Sequence, residues 1–323
     1  MPRPDLFIHE NVAPLPGSFQ SLRVREDVAY TDARGRLKGG IRKSAQKILP
    51  QVEAILARML RPNEAIFYVA RMNTPISQAE QLTAGWLLYT TVGVVMVFTN
   101  ERILCLPVTY NGKWKGSVRI VWYGDLDAAK TKVSGILNKA LELHFGMGKK
   151  DRFWGLKRRD AKKLKKLLPL LLAENAATPV STGMVPLCSE CLKPLTPDLY
   201  ECGSCGLLFK DERTLRKRAI LIPGGGYFYC GAIGMGILTA VVEAYALVEI
   251  VFAVIGMVTA LTTTGPGREE LFGGSTIIVL WFLALLAFEK FVQSHHCQRM
   301  IRDFLPAGRH KDAAAAAAAT FKM

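Results

Sequence analysis

Four cysteines close together limit this chain more than any other feature. Cys188-Ser-Glu-Cys191 and Cys202-Gly-Ser-Cys205-Gly206 are two C-x-x-C pairs separated by ten residues. Each pair makes a tight turn that aims two sulfurs at one point. Four converging thiolates suit a tetrahedral ion with sulfur ligands at about 2.3 Å, which favours zinc. Iron is the competing ion, but no redox-partner motif accompanies the cysteines. Disulfides would need an oxidising compartment, and residues 1–20 hold prolines and charges rather than the apolar run of a secretory signal. Cys105, Cys230 and Cys297 are scattered and read as small buried apolar residues.

The cysteine cluster divides the chain into a basic, strand-rich part before it and an apolar part after it. The segment 186–210 is too short for a core of its own. It resembles a zinc ribbon, which is stabilised mainly by its metal.

Residues 1–40 are rich in proline, glycine and charge and read as a flexible lead-in. Residues 41–61 place Ile41, Ile48, Val52, Ile55, Leu56, Met59 and Leu60 at helical spacing, with a break at Pro50. Strands are expected at 65–70, 86–98, 102–108, 117–123, 140–145 and 151–155. The run Trp86 to Phe98 is apolar enough to suggest a membrane span, yet β-branched and aromatic residues dominate it. Asn111-Gly112 is a hairpin signal. Residues 158–173 form an amphipathic helix with leucines on one face and lysines on the other.

Within 62–173, four pieces resemble a bacterial pleckstrin-homology-like domain. They are Arg61-Pro-Asn-Glu64-Ala-Ile-Phe-Tyr-Val-Ala70, Val97-Phe-Thr-Asn-Glu-Arg-Ile-Leu104, Trp122-Tyr-Gly-Asp125-Leu and Leu141-Glu-Leu-His-Phe145. The stretch Phe98 to Leu104 is the most telling. The resemblance implies an α+β fold: an antiparallel barrel capped by a C-terminal helix, used for binding or scaffolding and not for catalysis. Members of that broad fold bind lipid headgroups or peptides.

A polar linker is expected at 174–185. After it and the ribbon, Ala219 to Val242 is 24 residues without a charge, and Leu271 to Phe288 is 18. The flanks are basic: Lys210 to Arg218 holds five basic and two acidic residues, and Lys290, Arg299, Arg302, Arg309 and Lys311 follow the last run. The intervening loop has Arg268 against Glu269 and Glu270. The excess of basic residues at both ends places both termini in the cytoplasm and requires an even number of spans. Two are expected, near 245–264 and 275–293 within a membrane region 219–293, with Gly224 to Val242 as an interfacial segment before them. A cytoplasmic tail, 294–323, ends after the alanine run Ala313 to Ala319.

The net charge is +15, and ten Lys or Arg against two Asp fall between Lys149 and Lys166. Such a cluster fits an anionic partner. The expected contact is an anionic membrane surface, met by Lys113, Trp114, Lys115 and Arg119 at one hairpin and by Lys162, Lys163, Lys165 and Lys166 on the helix. No Ser/His/Asp, Cys/His or paired-carboxylate set suggests an enzyme. The expectation is a cytoplasm-facing adaptor or scaffold anchored in the inner membrane, its barrel binding an anionic lipid or a protein partner. Zinc ribbons with strong positive charge also bind nucleic acid, a partner that the apolar runs disfavour. Glu243 and Glu249 open a further alternative, a transporter or membrane-enzyme component, since charged groups in spans are costly and often functional.

Overall fold

The computed structural model describes residues 22–74, 92–135, 138–175, 181–262, 264–265 and 268–307. The expected strand at 86–91, much of the linker, the lead-in before Leu22 and the alanine run therefore lie outside the described residues. The chain divides into two compact units, Met1–Ser77 with Leu88–Leu207, and Gln78–Leu87 with Leu208–Met323.

The first unit is α+β. Among the described residues its strands are β1 (Ile66–Asn73), β2 (Gly93–Thr99), β3 (Arg102–Pro107), β4 (Val118–Trp122), β5 (Lys132–Ser134), β6 (Lys139–His144), β7 (Lys150–Leu156) and β8 (Val185–Leu187). They form an antiparallel sheet in the order β5-β6-β7-β1-β2-β3-β4-β8. The order has two free ends, so the expected barrel is an open sheet in its hydrogen bonding. β1 meets β7 through one pair, Asn73 opposite Trp154.

Among the described residues four α-helices accompany the sheet: α1 (Glu26–Ala29), α2 (Gly39–Ile48), α3 (Glu53–Met59) and α4 (Arg158–Glu174). Pro50 cannot donate a backbone hydrogen bond, and α2 passes through a 3-10 turn, Leu49–Gln51, before α3 begins. The two faces of the sheet are covered by different helices. Val94, Met96 and Phe98 of β2 join Leu141, Phe153 and the α4 leucines Leu164, Leu168 and Leu171 in one core. Val95 and Val97, pointing the other way, join Leu49, Val52, Ile55 and Leu56 in a second. Every residue of β2 is buried. A strand covered on both faces has no polar side to alternate with, which accounts for its unbroken apolar run.

The described part of the lead-in is packed rather than loose. Leu22, Val28 and Tyr30 are buried, and the backbone at 23–25 exchanges hydrogen bonds with Ile66 at 2.8 and 2.9 Å. The end of the expected linker is likewise ordered: Ser181 donates its N–H to Asp125 Oδ1 at 2.9 Å, and Val185 is already in β8.

The second unit holds α5 (Glu212–Leu221), α6 (Gly225–Cys230), α7 (Ile233–Thr262) and α8 (Arg268–Ile301). Asp211 caps α5 by accepting the N–H of Thr214 at 2.7 Å. α7 and α8, 30 and 34 residues long, rise about 45 and 51 Å, enough to cross a bilayer with a turn or more to spare. Only 17% and 6% of their most apolar windows are buried, so they are not the core helices of a soluble fold. Phe252, Ile255, Ile277 and Trp281 are all exposed.

The first long helix differs from expectation. The helix starts at Ile233, twelve residues before the expected start of the first span near Tyr245. Glu243 and Glu249 therefore sit inside α7. Helices α7 and α8 approach closely where side chains are small: Ala246, Ala253 and Ala260 are buried, and a Cβ on Gly256 would stand 2.6 Å from Ser275 Oγ. Small residues of this kind let two helix backbones pack without hydrophobic driving force from water.

Candidate functional site

Two backbone knuckles build the cysteine cluster. In the first, Leu192 donates its N–H to the carbonyl of Cys188 at 2.9 Å; in the second, Gly206 donates to that of Cys202 at 2.8 Å. Leu192 and Gly206, each just after its C-x-x-C pair, both have positive φ, 59° and 69°. Two further bonds clamp the loops, Cys188 N–H to Lys193 O and Cys202 N–H to Leu207 O, each 2.9 Å.

All four sulfurs lie within 4.8 Å of one another, with Cys188 and Cys191 each 3.5 Å from Cys205 and Cys202 respectively. That is far beyond a disulfide bond of about 2.05 Å and near the edge of about 3.8 Å in a tetrahedron with 2.3 Å metal–sulfur bonds. The donor set fits a metal ion. Cys188 and Cys202 are buried, while Cys191 and Cys205 are half-exposed. Burial opposes ionisation at Cys188 and Cys202. At Cys188 it wins and the thiol rises to about 12. At Cys202 burial is outweighed by the N–H groups of Ser204 and Cys205 and by the neighbouring thiols, and the thiol falls to about 7. A bound cation would complete the ionisation that the N–H groups begin.

The ribbon is continuous with the sheet, because Leu187 and Val185 of β8 pair with Val118 and Ile120 of β4. Its expected last residues belong elsewhere: Lys210 donates to Leu305 O at 2.9 Å, and Ala307 donates to Leu208 O at 3.0 Å, both within the second unit.

The expected basic face does not form as one surface. Lys162, Lys165 and Lys166 are exposed on α4, but Lys163 is 0% exposed and donates to Thr31 Oγ1 at 2.7 Å. Burial brings its ammonium down to about 8. Lys163 is an internal strut and is not available to a membrane. Trp114 is half-buried against the second core, and its indole N–H donates to Ser117 O at 2.8 Å. It is therefore not a free anchor. Lys113 is exposed, whereas Lys115 and Arg119 are half-buried. Trp114 packs on the face opposite α4, whereas Arg119 stands opposite Cys105 of the core that α4 covers. Sequence periodicity places a side chain on a helix face, but it does not reveal that Thr31 and Asp32 wait at the end of that face.

A different set of cations converges. Lys47 near the end of α2, Arg71 of β1 and Lys157 before α4 line a cavity of about 400 Å³, with Gln51, Asn111 and Val95. Among the described residues no carboxylate lines it. Arg71 is fixed by donating to the carbonyls of Thr109 and Tyr110 at 3.2 and 2.7 Å. These three cations are spread over 110 residues of sequence, so no local charge run marks them.

No family model, curated protein or solved structure matches the chain.

Proposed function

We propose that this protein is a non-enzymatic adaptor or scaffold anchored in the inner membrane by the α7–α8 hairpin. Both termini and the first unit face the cytoplasm. The observation that carries the reading is the pair of long helices with exposed apolar surfaces. Basic residues flank both helices, at Arg213, Arg216, Lys217 and Arg218 before α7 and at Arg299 and Arg302 at the end of α8, the distribution expected of cytoplasmic ends.

The first unit is read as a pleckstrin-homology-like module. Support comes from its antiparallel strand order and from α4, which follows β7 and packs into the first core. The basic cavity suits an anionic group, a lipid headgroup or an acidic peptide side chain. Converging cations, one of them held in place as Arg71 is, recognise phosphate or carboxylate well. The cysteine cluster holds zinc, which serves structure or partner binding. Nucleic acid is disfavoured as a partner by the membrane helices.

Alkaline carbonate extraction of membranes from expressing cells tests the anchor. The full chain should stay in the pellet and leave it only with detergent; release by carbonate alone would sink the reading. Detergent-solubilised full chain should then bind a short-chain anionic lipid in preference to a zwitterionic one, and Lys47→Glu with Lys157→Glu should lose that preference.

A further inference from the structure

The α5–α6 segment runs down one side of the hairpin and back. At its start, Lys210 donates its N–H to Leu305 O at 2.9 Å, past the end of α8. At the end of α5, Ala219 O accepts the Lys290 ammonium at 2.6 Å. α5 therefore descends alongside the last turns of α8. α6 climbs again: Tyr227 Oη lies 3.1 Å from His296 Nδ1, and Cys230 Sγ 3.7 Å from Cys297 O. Residues 220–223, between the two helices, are the deepest point. They follow Ala219, which is held by Lys290, the first cation after the charge-free run Leu271 to Phe288.

The side chains of this elbow face outward. Ile220, Leu221 and Ile222 are 68%, 78% and 48% exposed, and Pro223 is exposed as well. A Cβ on Gly224 would stand 2.1 Å from Gly236 O and 3.2 Å from Ala240 N, so the elbow lies against α7. There Ile237 and Val241 are exposed too. The apolar surface of the elbow thus continues that of the long helix. Arg213, Arg216 and Lys217 are exposed on α5, within about two turns of the tip. Arg216 lies 3.7 Å from Glu212, which leaves the face cationic.

The elbow's backbone is satisfied from within the unit. Arg218 O accepts the Ile222 N–H at 3.1 Å, and Ile222 O accepts the Gly225 N–H at 2.8 Å. Gly224 donates its N–H to Glu243 at 3.2 Å, and Pro223 has no N–H to place. Glu243 and Lys290 pair with each other at 2.6 Å, and each also holds one backbone group of the elbow. A turn in water leaves such groups to the solvent. A turn among acyl chains must satisfy them inside the protein, and the buried ion pair is the fastener that does so.

We propose that residues 212–230 are a re-entrant elbow whose tip, Ile220 to Pro223, seats at the headgroup–acyl boundary of the cytoplasmic leaflet. It is a third contact with the bilayer beside the two spans, and it rests on the reading of α7 and α8 as a membrane hairpin. Lipid covers the exposed surface: acyl chains against the tip, and anionic headgroup phosphates against Arg213, Arg216 and Lys217.

Spin-label accessibility in the full chain, reconstituted into lipid nanodiscs, tests the elbow. A nitroxide amino acid incorporated in place of Leu221, of Ile277 on α8 or of Arg213 leaves the cysteines untouched. Oxygen concentrates among acyl chains, whereas a nickel chelate stays in water. The oxygen-to-nickel collision ratio at Leu221 should be several-fold above that at Arg213, with Ile277 higher still. A Leu221 label as open to nickel as Arg213, with Ile277 shielded, overturns the elbow and keeps the hairpin. Leu221 and Ile277 both open to nickel overturn both. A Leu221 label closed to oxygen and nickel alike would mean that a partner protein or a second copy covers the tip, which also overturns the elbow. The Leu221 ratio should be higher in anionic discs than in zwitterionic ones, and Arg216→Gln with Lys217→Gln should erase the difference. A difference that survives this double variant overturns the headgroup contact.

Discussion

Arg102 donates through Nε and Nη2 to the two carboxylate oxygens of Glu64, at 3.0 and 2.9 Å, with side chains 7% and 0% exposed. Thr99 Oγ1 lies 2.7 Å from Glu64 Oε1, and Arg102 reaches on to Met59 O at 2.8 Å. The Phe98 to Leu104 stretch is thus a clasp that ties the end of α3 to the β2–β3 turn. It binds the chain to itself and is not placed to meet a ligand.

Removing one partner of such a buried pair strands the other charge. Glu64→Ala should therefore lower stability by about 3–5 kcal/mol, read from chemical denaturation followed by tryptophan fluorescence. Burial alone would raise the Glu64 carboxyl, but its bonds from Arg102 and Thr99 outweigh that and hold it below the usual carboxylate range. A depressed native value means the contribution is present above the unfolded carboxylate's value and fades as pH falls through the native one. Glu64→Gln should flatten this acid limb of the stability curve; an unchanged limb would contradict the assignment.

The cysteine cluster should carry one zinc per chain. Elemental analysis of the purified full chain checks this, and Cys191→Ser should lose the metal. Chelation should also raise amide exchange across 185–207, since the two knuckles have little apolar core to hold them. A chain whose exchange in that segment ignores both treatments would show a ribbon that stands without metal.

Lys163 gives a pH signature of the same sign as Glu64, shifted to the alkaline range. Its native value, about 8, lies below the ordinary 10.5. Between those values the unfolded chain binds more protons, so stability should rise with pH across that window. Lys163→Met should abolish the rise. It should leave binding to anionic short-chain lipid unchanged, because the side chain is internal; a loss of binding would return Lys163 to the surface.

On the proposed reading, two spanning helices would place the ends of the chain on the same side. Small tags at each terminus should react alike with a membrane-impermeant reagent, both protected in intact cells and both labelled after lysis. Opposite labelling would require an odd number of crossings and would overturn the two-span reading.

Local signals served the sequence reading well and distant ones did not. The C-x-x-C spacing identified all four clustered thiols, because each knuckle is a four-residue device. Pro50 marked the break between α2 and α3 through a missing donor. The two long helices were legible from apolar length, but that the first is one continuous helix running from Ile233 through Glu243 was not. In the fold that carboxylate is compensated by Lys290, 47 residues away. Lys163 and Trp114 were assigned to the surface by helix face and hairpin position, and both are held by partners that no local pattern announces. The three-residue strands β5 and β8 were missed outright, since three residues give no periodicity.

The shortest of these misses has the widest consequence. Leu187 ends β8 and Cys188 begins the cysteine loop, so an ion bound there would fasten the very strand that covers β4. Without it, Val118-Arg-Ile-Val-Trp122 would present an open row of backbone donors and acceptors on an apolar strand. Such an edge recruits strands from other molecules. Metal starvation would then show itself as self-association, a gain of stickiness rather than a simple loss of binding, and the ribbon's first duty would be to keep each copy of the chain separate from the next.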